Sequence, residues 1–401
     1  MSLDLLIATT LGILTGIITG LTPGIHVNLV SLLVLSFSSV LLTITTPLSL
    51  GAFIISLAIT HTFLDTLPSI YLGAPTDAKA LNVLPGHRFL LRGDGHLAVL
   101  YTILGSLGSV ILSVLLFPLF IIGMQYLSDA VSKVVGYALI IIMGYMILKE
   151  KEKKIKCLIL FLLSGVLGLC VFAIPHLSQP LFPLLSGLFG FSILFMSLLE
   201  KSTIPKQNTK AQMNISKTVV TKAVGTATGM GFIAAFLPGF GSSQAAIIGT
   251  NIVGDIGDEG FLTLVGGINT ANMLISIATA YAIEKSRNGA IVVINKLLEG
   301  ITFETMLIFI AVSLVAAGVA TLLTIKLSKV FAKLIVKVNY QKLIWSIIIF
   351  ITFLTFVFDG PIGLTILITA TALGLLGSVW RVGKNHLMGC LIVPVILYFI
   401  L

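Results

Sequence analysis

The sequence predicts an all-α integral membrane protein built from two repeats of inverted topology, each interrupted by a Pro-Gly break. Three observations carry this expectation. The 401-residue chain is 57% hydrophobic and only 10% charged, with a mean hydropathy of +1.13, a composition foreign to soluble domains. Apolar runs long enough to cross a bilayer recur from end to end. The segment Gly20-Leu-Thr-Pro-Gly-Ile-His-Val-Asn28 returns, altered, as Ala235-Phe-Leu-Pro-Gly-Phe-Gly-Ser-Ser243, its proline displaced by 215 residues.

The first repeat, residues 1–200, holds seven apolar segments at about 4–21, 25–43, 47–72, 97–124, 131–148, 157–174 and 181–199. The first of these has no basic leader and reads as a retained span. The polar stretch EKSTIPKQNTKAQMNISK then closes the first half. Its residues 201–217 read as a cytoplasmic linker too short to fold alone. The second repeat, 218–401, holds segments at about 218–236, 240–254, 261–283, 303–325, 343–358, 361–378 and 387–401. Segments 240–254 and 387–401 are short for full spans and read as half-helices or re-entrant pieces.

The repeat extends beyond its Pro-Gly. Gly12, Gly16, Gly20 and Gly24 correspond, at the same offset, to Ala227, Gly231, Ala235 and Gly239. Small residues on one helix face let another backbone approach closely. Seven segments per half require the second copy to be inverted, and loop charges agree. The loop Lys149–Lys156 is basic, and its counterpart Asp359–Pro361 is not. The loop containing Asp129 faces a counterpart with Lys326, Lys329, Lys333, Lys337 and Lys342. The loop with His176 faces one with Arg381 and Lys384. Basic loops mark the cytoplasmic side. Lys285, Arg287 and Lys296, and the acidic Asp255, Asp258 and Glu259, fit this scheme less well. The net charge of +9 therefore reports orientation, and a nucleic-acid partner is not expected. Cys157, Cys170 and Cys390 lie in apolar segments without paired spacing. They read as buried small residues, and no metal site is expected.

A Pro-Gly break at bilayer depth frees backbone groups that must be satisfied by protein, water or ligand. The first tip offers Thr22, Pro23, Gly24, His26 and Asn28. The second offers Pro238, Gly239, Gly241, Ser242, Ser243 and Gln244. A helix starting after either glycine presents unpaired N–H groups that favour an anion. Two structural kinks would also explain the breaks, but duplicated broken helices mark transporter sites. His61 and Asp65 share a helix face at i, i+4, and a carboxylate in this apolar context is costly and functional by default. The pair is a candidate site for a coupling proton or sodium ion, or a structural hydrogen-bonded pair. Asn269 and Asn272 could coordinate an ion or join helices. Asp77, Lys79 and Asn82 lie in a Gly/Pro-containing stretch that could line an entry path, although a solvated loop explains Lys79 more simply. No Walker loop, HExxH or other enzyme signature occurs, so an enzyme is not expected.

At these residues the chain resembles the large permease subunit of the tripartite tricarboxylate transporters, the TctA family, as a single-chain archaeal or bacterial relative. The resemblance is carried by Gly20–Gly24 and Ala235–Gly241, and by Gly73, Pro75, Ala80, Leu81, Pro85 and Gly93 in order. The element Gly187-Leu-Phe-Gly190 adds to it. The resemblance implies cation-driven uptake of an organic anion across the cytoplasmic membrane. It also implies a small membrane subunit and an extracytoplasmic binding protein as partners. No cofactor is expected beyond a coupling H+ or Na+, and a homodimer is compatible with the sequence. The sequence reading is thus a secondary permease for an organic anion, a carboxylate, working by alternating access. A translocase for a polyprenyl-phosphate carrier, using the same tips for an anionic lipid headgroup, is the alternative.

Overall fold

The computed structural model describes residues 3–23, 27–73, 83–150, 153–175, 177–199, 204–236, 241–283, 288–336 and 340–400. Among them the regular structure is entirely helical. Seven helical segments are long and apolar enough to cross a membrane, so the expectation of an all-α membrane protein is met.

The first half runs α1 (Leu3–Leu21), α2 (Val27–Ser36), α3 (Ser38–Leu41), α4 (Pro47–Leu64), α5 (Val83–Arg92), α6 (Gly95–Leu115), α7 (Phe117–Lys149), α8 (Lys154–Ala173), α9 (Leu181–Leu185) and α10 (Ser192–Leu199). The second runs α11 (Lys217–Phe236), α12 (Ser242–Val253), α13 (Gly257–Ile283), α14 (Gly289–Leu298), α15 (Phe303–Ile335), α16 (Tyr340–Val379) and α17 (Gly389–Ile400). Starts follow local chemistry. Thr46 caps α4 by accepting the Ser49 amide at 3.2 Å, and Pro47 occupies its first turn, where a missing N–H is harmless.

The small-residue stripes are contact lines. On α1, Gly12 lies against Phe53 and Ser56, Gly16 against Leu57 and Thr60, and Gly20 against Leu64 and Asp65. The ascending numbers on both sides mean that α1 and α4 run in the same direction. On α11, Gly231 lies against Ala271 and Asn272 of α13, and Gly267 of α13 against Ala227, so this pair also runs in parallel. The other face of α1 carries exposed Leu3, Ile7, Leu11, Leu14 and Ile18, an apolar stripe that suits lipid.

The halves interlock reciprocally. Helix α6 packs on α13 of the second half, and α15 packs on α4 of the first. Likewise α17 packs on α8, and α16 packs on the π-helical turn Ser186–Phe191. Described linker residues form a strap across α5 and α6. The Asn208 amide donates to Gly93 O at 2.7 Å, and the Gln207 side chain bridges Leu90 O and the Gly95 amide at 2.9 Å each. Arg88 of α5 pairs with Asp258 of α13 at 2.7 Å. Asp258, awkward in the charge scheme, thus stands where a first-half arginine meets it.

Two expectations need correction. Segments 97–124 and 131–148 are divided at Leu116, not between them, and α7 runs unbroken through Asp129. Gln125, Ser128, Asp129 and Lys133 are polar but none breaks a helix, whereas Pro118 fits the first turn of a new one. The charge comparison that treats Asp129 as a loop residue therefore lapses. Segments 343–358 and 361–378 are divided where expected, because α16 is two helices that meet at a kink, with non-helical Gly360 (φ 59°, ψ −151°) ahead of Pro361. Asp359 secures this kink by accepting the Ser178 and Gln179 amides at 2.6 and 3.0 Å. Cys170 is exposed, while Cys157 and Cys390 are buried as expected. The short segments do give short helices. Both α12 and α17 have 12 residues, about 18 Å of rise, well under a hydrocarbon core of about 30 Å.

Burial of His87 on α5 lowers its pKa from 6.5 to about 4. Between those values the unfolded chain holds a proton that the folded chain does not, so stability is lost as pH falls through this window. The loss should reach about 3 kcal/mol by the lower end, and His87→Leu should flatten that part of the thermal-unfolding pH profile.

Candidate functional site

Asp65 sits where α4 ends. The proline at 68 cannot donate to the preceding turn, and the chain continues as a π-helical turn, Pro68–Leu72, closed by Gly73 at φ 64°. The carboxylate is thus held at an irregularity within the last third of the Pro47–Leu72 span, only 1% exposed. Its Oδ2 faces Asn269 Nδ2 of α13 at 3.5 Å. Asn269 Oδ1 in turn faces Ser242 Oγ, at the first turn of α12, at 3.5 Å. Asn272 Nδ2 reaches the same Ser242 hydroxyl at 3.5 Å. At the edge of hydrogen-bond range, these contacts place the groups together without locking them. The result is a polar file from Asp65 of the first half through Asn269 to Ser242 and Asn272 of the second.

The file lies at the start of a helix. Gln244 Oε1 accepts the Gly241 amide at 3.0 Å and so caps α12. Ser242, Ser243 and Gln244 are all buried. The first-turn amides of a helix have no intrahelical acceptor and carry its positive end. This end therefore points into a buried group of hydroxyls and amides, with a carboxylate one side chain further on.

His61 is a neighbour by another route. Its Nδ1 meets Thr19 Oγ1 of α1 at 3.0 Å, and Thr19 also donates to Gly16 O at 3.3 Å. One turn from Asp65, Thr62 accepts a hydrogen bond from Thr270 at 3.2 Å. Threonines in membrane helices usually bond their own backbone, so the sequence did not single out Thr19, Thr62 or Thr270. For Thr62 and Thr270 the signal was position, one residue from His61 and Asn269, whereas Thr19 lies far from all three in sequence.

The two tips contribute unequally. Gly24 and His26 of the first tip, and Pro238 and Gly239 of the second, lie outside the described residues, as do Asp77, Lys79 and Asn82. Thr22 and Pro23 end α1 half-buried, with the Thr22 amide donating to Ile18 O at 3.0 Å. Asn28 is exposed in the first turn of α2 and lies against Gly289 at the start of α14. The described residues therefore join the coupling-ion candidates Asp65, Asn269 and Asn272 directly to Ser242, a substrate candidate.

A model of the tripartite tricarboxylate transporter TctA family matches residues 6–389. The chain belongs to this family. An uncharacterized protein of Methanocaldococcus jannaschii is 29% identical over 403 aligned positions, covering 97% of this chain and 98% of that one. No solved structure matches the chain significantly. Membership in the TctA family, together with the long apolar helices, identifies a multi-pass membrane protein of a transporter family, not an enzyme family. The polar file joins Asp65 of the first half to Asn269, Ser242 and Asn272 of the second.

Proposed function

We propose that this TctA-family protein is a secondary permease for an organic anion, a carboxylate, driven by H+ or Na+ through alternating access. The observation that carries the reading is the file Asp65–Asn269–Ser242–Asn272 at the first turn of α12. The helix end, the Ser242 hydroxyl and the Asn272 amide suit a carboxylate group of the cargo. Asp65 does not suit it unless neutralised. Two unit negative charges about 6 Å apart at an effective dielectric of about 20 repel by about 3 kcal/mol. Bound H+ or Na+ on Asp65 removes that cost, so cargo and cation favour each other's binding, which is the thermodynamic basis of symport.

The parallel pairs α1–α4 and α11–α13, and the reciprocal packing of α6 and α15, support two repeats of inverted topology. In that arrangement α1 starts on the side opposite the linker and α11 starts beside it. Movement of one repeat against the other would expose the file alternately to each side. The family name implies partner subunits, and the exposed outer faces leave room for a small membrane subunit and a binding protein.

Uptake of labelled organic acids and of short-chain polyprenyl phosphates into proteoliposomes tests the reading. The permease takes up the acids only under a proton or sodium gradient, whereas uptake confined to the lipid phosphates would sink it. In the same assay Ser242→Ala should raise KM about tenfold with little change in kcat, the loss expected for one hydrogen bond to a charged group.

A further inference from the structure

The chain also brings together three metal-ligating side chains that the transport reading does not use. Glu150 follows the last turn of α7, Cys157 lies in the first turn of α8, and His386 lies in the 3-10 turn Lys384–Met388 ahead of α17. One donor atom of each lies within 4.8 Å of the other two. His386 Nε2 stands 3.7 Å from Glu150 Oε1. We propose that Glu150, Cys157 and His386 bind a divalent metal ion of the zinc class, tying the α7–α8 loop of the first half to the turn before α17 of the second.

The unpartnered histidine points to a ligand. His386 is 1% exposed, and neither ring nitrogen has a hydrogen-bond partner among the described residues. Burying an imidazole with both nitrogens unsatisfied is costly, and folded proteins rarely do it. A metal ion would take the lone pair of the nitrogen facing Glu150. Two tetrahedral zinc ligands at about 2.1 Å from the ion are about 3.4 Å apart, so the His–Glu separation needs to close only slightly.

The donor types agree. One nitrogen, one sulfur and one carboxylate oxygen form a set that zinc and cobalt accept. Cys157 is fully buried, whereas the Glu150 side chain is 42% exposed. The ion would enter past Glu150 and keep a solvent position on that side, as three-ligand sites do.

The surroundings hold the ligands without the ion. Ser164 of α8 donates to His386 O at 3.3 Å, and Lys153 donates to Arg381 O at 3.1 Å, joining the same two loops. Sequence spacing could not reveal this site, because its ligands come from three separate elements. The inference does not depend on what the protein carries.

The test uses untagged full-length protein in detergent, stripped with chelator and titrated with Co2+ and then Zn2+. Wild type should bind a single equivalent of Co2+, with a thiolate-to-cobalt charge-transfer band and visible bands that Zn2+ abolishes. Cys157→Ser should lose the charge-transfer band, and Cys390→Ser should keep it. Glu150→Gln, at the exposed rim, should fold normally and bind Zn2+ at least about tenfold more weakly, since losing even a group that only supports a ligand costs that much. Absence of stoichiometric Co2+ binding by wild type, or an unchanged spectrum in Cys157→Ser, would overturn the proposal.

Discussion

Asp65→Asn is expected to uncouple the protein without unfolding it. The amide keeps the shape of the carboxyl group and can still bond Asn269, which lies 3.5 Å away. It removes the charge that must be neutralised before an anion enters. In wild type, withdrawal of the coupling cation should weaken anion binding about 100-fold, the factor that about 3 kcal/mol of repulsion corresponds to. In Asp65→Asn the affinity should be the same with and without the cation. Gradient-driven accumulation in proteoliposomes should vanish, while exchange of internal for external anion persists. A variant that still concentrates anion against its gradient would remove Asp65 from the coupling step. Loss of exchange as well, in a protein with normal thermal unfolding, would make Asp65 part of the anion site itself.

Gly105→Val should have the largest structural effect of any single substitution considered. Gly105 of α6 meets the α13 backbone so closely that a Cβ would overlap the Thr263 carbonyl. The reverse holds nearby, where a Cβ on Gly266 would strike Thr102 of α6. This crossing joins the two halves, and Ser106 donates across it to Gly266 O at 3.1 Å. Forcing the helices apart sacrifices packing, the main source of association between membrane helices. The cost should exceed about 3 kcal/mol, as severe overpacking does. The expected result is little monodisperse protein, or a fall in melting temperature of many degrees. Gly144→Val is the control, since nothing lies within 4 Å of a Cβ there. Equal yield and stability of the two variants would contradict the close crossing.

Much of this arrangement is legible in the residues. The stripe Gly12, Gly16, Gly20 and its counterpart at Ala227 and Gly231 announce two close helix contacts, because small side chains at four-residue spacing have no better use in a membrane. Asp65 announces itself by the cost of its charge, and Asn269 and Asn272 by polarity inside an apolar run. What the sequence conceals is pairing across distance. Nothing local says that Asp65 meets Asn269, or that His61 meets Thr19. The break at Leu116 is hidden because Pro118 is equally at home in a first turn and in a loop. Glu150, Cys157 and His386 stay invisible as a group because only the packing of α8 against α17 unites them.

A structure with bound anion tests the central claim most directly. Electron cryo-microscopy of the protein in a saturating transported carboxylate and coupling cation should show density beside the first turn of α12. That density should lie within hydrogen-bond distance of Ser242 and Asn272, with a neutralised Asp65 one side chain away. Anion density elsewhere, with the space around Ser242 filled by protein side chains, would contradict the account.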